Sequence, residues 1–196
     1  MLRTLVVLMG LVLAGCTQVT LQDYRNETPK LDLRTFFNGR LDAWGMFQKR
    51  SGEVVKRFHV VMDAYSEGDK LILDERFTYT DGTKQQRVWT LTSPSEGIWR
   101  GTADDVVGEA QGEVQGNTFH WRYTLQLPVD GTVYEVKLDD WMYLIDEHTM
   151  ANRSFMSKFG VEVGQITLFF RKQPDCLLAT NDCESAHAAP AGAGPN

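Results

Sequence analysis

Positive charge is in deficit in this chain: 20 Lys and Arg stand against 26 Asp and Glu, for a net charge of −6. A surface that neutralises phosphates needs the opposite balance, so nucleic acid is not an expected partner. Cysteine is scarce, three in 196 residues, and the four histidines at 59, 120, 148 and 187 show no metal-ligand spacing. On that basis no metal and no cofactor is expected, and Asp146-Glu147-His148 reads as a polar turn. The chain lacks a G-x-S-x-G elbow, a P-loop and an H-E-x-x-H pair, which leaves serine hydrolysis, nucleotide binding and zinc proteolysis without support. Beyond residue 15 no apolar run approaches the roughly 20 residues that cross a bilayer core of about 30 Å. The i, i+3, i+4, i+7 pattern of an amphipathic helix does not hold over any long window either.

What is present begins with an address. Arg3 followed by the apolar stretch Leu5 to Leu13 reads as a secretion signal over residues 1–15. Leu13-Ala14-Gly15-Cys16 resembles the bacterial lipobox, in which the cysteine sulfur receives diacylglycerol and the new amino terminus is acylated by a fatty acid such as palmitate. Several acyl chains anchor stably because each buried CH₂ contributes about 0.8 kcal/mol. Thr17 and Gln18 follow, with no Asp after the cysteine to resemble an inner-membrane retention signal. An outer-membrane lipoprotein facing the periplasm is therefore expected, with 16–30 as its tether. In that oxidising compartment Cys176 and Cys183 form an even pair, and a local disulfide is the simple reading. The end of the chain, ESAHAAPAGAGPN, is small and Pro/Gly-rich, so disorder is expected within a 173–196 tail.

Between residues 31 and 172, period-two alternation keeps returning between turn signals. Phe119, Trp121, Tyr123, Leu125 and Leu127 alternate with Thr118, His120, Arg122, Thr124 and Gln126, one aromatic face against one wet face. Turns are signalled at Ser51-Gly52, Glu67-Gly68-Asp69, Asp81-Gly82, Glu96-Gly97, Gly116-Asn117 and Asp130-Gly131. The expectation is an all-β domain of 8 to 10 antiparallel strands. An up-and-down, lipocalin-like barrel is the simplest closure because it removes exposed edges, and a two-sheet sandwich is the rival.

In the hairpin Leu73 to Leu91, a charged pair shares the apolar face: Glu75 lies with Leu73, Phe77 and Tyr79, and Arg87 with Trp89 and Leu91. Pairing Leu73 with Leu91 makes Glu75 and Arg87 diagonal neighbours. Burial selects that register or one shifted by an even number, since a one-residue slip would expose Trp89 and Leu91.

The strings DERFTYTDG, RVWTL, GTADDVVGEAQGEVQGN, WRYTLQLPVDG, DDWMYL, NRSFMSKFGVEVG and LFFRK, in that order behind a lipobox, are similar to those of a bacterial lipoprotein family, domain of unknown function 3833. The likeness runs from about Phe37 to Lys172. It implies a calycin-like barrel in a Gram-negative cell envelope and carries no established activity.

The candidate ligand-binding residues are Glu75, Phe77, Tyr79, Arg87, Trp89, Trp121, Tyr123 and Asp140. No catalytic residue is assigned. Asp104-Asp105 and Asp139-Asp140 cannot each supply an acid and a base from one strand face, because adjacent residues point oppositely, and Asx-type turns and strand ends are the simple reading. Asp140 alone shares parity with Tyr134, Val136 and Leu138 and could reach the lumen. Gly108, Ala110, Gly112, Val114 and Gly116 leave one face nearly bare, which means either close packing or a thin wall with lumen volume behind it. The expected function is binding of a lipophilic molecule, a fatty acid or lipid, with Arg87 offering N–H groups to its head. The alternatives are a structural envelope barrel filled by its own side chains, in which Glu75 and Arg87 only tie two strands, or a lipid-modifying enzyme using Glu75 or Asp140 as acid or base.

Overall fold

The computed structural model describes residues 19–129 and 131–173. Ten antiparallel strands, β1 (Gly39–Lys49), β2 (Val54–Glu67), β3 (Lys70–Tyr79), β4 (Lys84–Ser95), β5 (Ile98–Thr102), β6 (Ala110–Gln115), β7 (Thr118–Val129), β8 (Thr132–Leu144), β9 (Thr149–Lys158) and β10 (Val161–Lys172), follow one another around a closed barrel. β10 returns to β1, from Leu41 opposite Lys172 to Lys49 opposite Gly164. The sandwich is thereby excluded. Inward residues such as Leu41, Ala43, Val60, Met62, Leu71 and Leu138 are buried, while their sequence neighbours face out.

One end of the barrel is plugged and the other is open. Asp32 caps a single helical turn, α1 (Leu33–Phe36), its carboxylate accepting from the Thr35 N–H at 2.6 Å. That turn drives Leu33 and Phe36 into the barrel, and Phe37 meets Phe36 and Phe170 edge-on. Residues read as tether also reach the wall: Tyr24 packs on Trp141 and Tyr143. Residues 16–18, the signal segment and the tail with Cys176 and Cys183 lie outside the described residues. At the opposite end the β1–β2, β3–β4, β7–β8 and β9–β10 turns surround the mouth.

The register of the β3–β4 hairpin differs from the first expectation by two residues. Leu71 faces Leu91, Leu73 faces Trp89, and Glu75 lies directly opposite Arg87. The turn decides this: the Tyr79 N–H bonds to the Thr83 carbonyl and the Gly82 N–H to the Tyr79 carbonyl, with Gly82 left-handed at φ 81°. The Asp81 side chain accepts from the Thr83 N–H at 3.0 Å and holds that geometry. The shift is even, so every residue keeps its face.

Within the glycine-rich stretch Gly112 is closely packed, whereas Gly108 has open space beside it. A Cβ on Gly112 would stand 2.5 Å from the His120 carbonyl oxygen, 2.6 Å from the Trp121 ring and 2.8 Å from Phe119, and on Gly101 it would lie 3.0 Å from Trp121. These glycines let Trp121 lie flat against the wall, and the bare face leaves no extra lumen volume beside it. Of the five tryptophans, Trp89, Trp99 and Trp121 are buried, whereas Trp44 stacks outside on His59 and Trp141 on His120. We predict that Gly112→Ala destabilises the barrel by about 1–3 kcal/mol in urea unfolding, the usual cost of overpacking. Unchanged stability would mean that the Trp121 layer yields.

Candidate functional site

Strand alternation delivers the site. Glu75, Phe77 and Tyr79 come from β3, Arg87 and Trp89 from β4, Trp121 and Tyr123 from β7, and Asp140 from β8. The structure brings all of them to one apolar cavity, about 110 Å³ in volume. The aromatic wall is contiguous: Trp89 meets Trp121 and Tyr123 nearly edge-on at 5.7 and 5.2 Å, and Phe77 stacks with Tyr79 at 6.1 Å. A larger space of about 880 Å³ opens at the mouth, lined among others by Val55, Leu127, Val129, Met156 and Val163. Phe47, Tyr79, Arg87 and Leu125 border both spaces, so the inner cavity is reached past these side chains.

Arg87 is more heavily engaged than the cross-strand pattern implies. Its Nη1 stands 3.9 Å from Glu75 Oε2. Its Nε and Nη2 donate to Asp105, Nε at 2.9 and 3.0 Å to the two oxygens and Nη2 at 2.7 Å. Asp105 arrives from the connection between the short strands β5 and β6. The Gln126 N–H bonds to the Asp105 carbonyl and the Val107 N–H to the Thr124 carbonyl, which lays residues 103–109 along β7. Sequence reasoning missed Asp105, reading the acidic doublet as turn residues, and no local pattern marks it. Asn152 and Ser154 were missed as well, although alternation with the buried Met150 and Met156 could have placed them in the lumen.

Burial sets the protonation of the lumen. Desolvation pushes the Glu75 carboxyl from its ordinary 4.5 up to about 7, against the opposing pull of Arg87 and with help from the charges of Asp105 and Asp140. Desolvation likewise lifts Asp140 from 3.8 to about 6. The nearby Ser154 and Tyr123 hydroxyls lower it part of the way, although Asp140 Oδ1 and Ser154 Oγ are not aligned for a good hydrogen bond. Burial and the Asp140 charge hold Tyr123 well above the usual tyrosine range. Burial disfavours the Arg87 charge, but the Asp105 bond and the surrounding negative groups outweigh it and keep Arg87 firmly protonated. Asp139 points outward to His120. Among the described residues no group of three His, Cys, Asp or Glu side chains is placed to hold a metal ion.

A protein family described as "Protein of unknown function (DUF3833)" matches residues 10–172. The chain belongs to this family. No curated protein matches it. Among solved structures, the S-type phycobiliprotein lyase CPES of Guillardia theta superposes with a TM-score of 0.53 at 10% identity, covering 74% of this chain and 94% of that one. A de novo designed fluorescence-activating β-barrel gives 0.40 at 11% identity over 73% and 99%. The first likeness bears on the barrel fold alone and says nothing further.

The raised carboxyls give stability a pH dependence of definite sign. Between the ordinary values and the raised ones, the folded barrel keeps protons that the unfolded chain has released. The stability contributed by neutral Glu75 and Asp140 is therefore full below about pH 4 and is lost as pH rises through 6 and 7. We predict that urea unfolding shows a loss on the order of 1–3 kcal/mol between pH 5 and pH 8, and that Glu75→Gln and Asp140→Asn each flatten the curve. Parallel curves for wild type and both variants would refute this origin.

Proposed function

We propose that this protein is a lipid-anchored barrel of the outer membrane, facing the periplasm, that holds one small lipophilic molecule. The observation that carries the reading is a cluster of buried ionisable groups in the wall of an aromatic cavity that continues into a wider mouth. A barrel serving only as scaffold gains little from it, since charge pairs taken out of water return at best what their desolvation costs, and apolar residues of similar volume would pack as well. Ligand pockets are mostly apolar with a few convergent polar groups, which matches the inner and outer spaces together.

The mouth is suited to an apolar ligand and to a membrane nearby. Val54, Val55, Val129, Val133, Val161 and Val163 are exposed around it, and Phe159, at the tip of the β9–β10 turn, is 93% exposed. Lysines interleave with them: Lys158 lies over the Tyr134 ring at 3.7 Å and Lys56 over Tyr79 at 4.2 Å. The lipobox at Cys16 supports the anchor.

Two experiments test the proposal. The mature protein from its native envelope should carry a diacylglycerol-modified, acylated Cys16 by mass spectrometry, and Cys16→Ala should remain uncleaved; an unmodified mature terminus would remove the anchor. For the lumen, Glu75→Gln/Arg87→Met/Asp105→Asn removes the charges together and avoids leaving any one of them buried alone. This triple variant should fold with near-native stability and carry a reduced load of co-purifying lipophile in native mass spectrometry, because Arg87 and its partners shape the passage between the inner cavity and the mouth. Equal loads in both proteins, or none in either, would favour a structural barrel.

A further inference from the structure

Among the described residues Arg87 is the one cation lining the inner cavity, and the structure leaves it little to offer a ligand. Asp105 occupies its Nε and Nη2, and Nη1 faces Glu75. Two carboxyls, Glu75 and Asp105, face this single guanidinium and a third, Asp140, lines the same cavity, with the uncharged Tyr79, Tyr123, Asn152 and Ser154 completing the polar groups of its lining. If Glu75 and Asp140 are both neutral, Asp105 still cancels Arg87; if both ionise, the lumen carries two net negative charges. In no protonation state does an uncompensated positive charge remain for an anionic head group. The polar groups outside that ion pair lie elsewhere. Asp140, 6% exposed, and Ser154, 2% exposed, border the inner cavity from adjacent strands at paired positions; the Ser154 and Tyr123 hydroxyls stand near the Asp140 carboxyl, but Asp140 Oδ1 and Ser154 Oγ, both enclosed, form no well-aligned hydrogen bond among the described residues. Buried polar atoms in folded proteins nearly always have a partner.

Resting on the reading of the barrel as a holder of a lipophilic molecule, we infer that the polar end of that molecule is a hydrogen-bond donor, a hydroxyl or a protonated amine, received by Asp140 and Ser154, and that a carboxylate end is rejected. This reverses the expectation of a fatty-acid head on Arg87. The role of Arg87 is to hold Asp105 and Glu75 in place and to moderate the negative potential, as an ion pair laid across β3, β4 and the 103–109 connection. The inner cavity, about 110 Å³, admits a small head group, and the wider mouth takes the chain, so the molecule enters polar end first.

The test compares straight-chain dodecylamine, dodecanol and dodecanoate at pH 8, where the carboxylate is ionised. Each competes with an environment-sensitive apolar fluorophore for the delipidated full-length mature protein. The amine and the alcohol should bind at least tenfold more tightly than the carboxylate. Asp140→Asn should cut amine affinity at least tenfold while leaving dodecanoate unchanged or improved, and Ser154→Ala should weaken amine and alcohol severalfold. Asp139→Asn, on the outer face of the same strand, should leave the order intact and controls for folding and overall charge. Equal affinity for the three heads, or a preference for the carboxylate, overturns the donor-head inference while the binding function stands. If no probe binds, the binding function itself fails and this inference falls with it.

Discussion

The pairing of β10 with β1 is the contact on which the rest of this protein depends. Until it forms, the chain is a run of hairpins, each with one apolar face and two unpaired edges; once it forms, there is an inside. Closure removes the edges that would template association, and it turns the period-two pattern of every strand into a radial division between lumen and solvent. It also brings β3, β4, β7, β8 and β9 close enough for their inward side chains to share one space. The α1 plug follows from the same event, because Leu33, Phe36 and Phe37 have a cavity to enter only in a closed barrel.

Inside that boundary, burial governs chemistry. The same removal of water that stabilises the packed Phe77, Tyr79, Trp89 and Trp121 makes ionisation of Glu75 and Asp140 costly. A guanidinium resists neutralisation, so Arg87 must be accompanied. The two partners come by different routes: Glu75 by strand pairing and Asp105 by a connection that lies down along β7 where β5 and β6 are short. The lumen is thus balanced to slightly negative, and its polar character is set by which carboxyls hold protons.

Much of the fold was legible because alternation and turn chemistry are local. The hairpin of residues 71–91 shows both the reach and the limit. Its greasy face could be read from Leu73, Trp89 and Leu91, and parity survived, but the Tyr79–Thr83 turn bonds moved the register by two and converted a diagonal Glu75–Arg87 pair into a direct one. The candidate lumen residues were found by the same parity argument. Asp105 was not, since a residue in an irregular connection has no face until the connection packs. Gly112 left two readings open, because a missing side chain means free volume or close approach according to what stands opposite, and here Trp121 and Phe119 stand opposite.

By itself the sequence determined the class of this protein: strands and not helices, one apolar face per strand, the positions of most turns, and family membership through motifs spread over the domain. These depend on neighbours within a few residues and are written in the order of side chains. Tertiary structure alone decided that ten strands close on themselves, that Arg87 is satisfied by Asp105 before any ligand arrives, and that Asp140 and Ser154 meet as buried polar groups beside the cavity. Each of these joins residues far apart in the chain, and the energy of a buried charge is set by everything around it, which no short stretch of sequence contains.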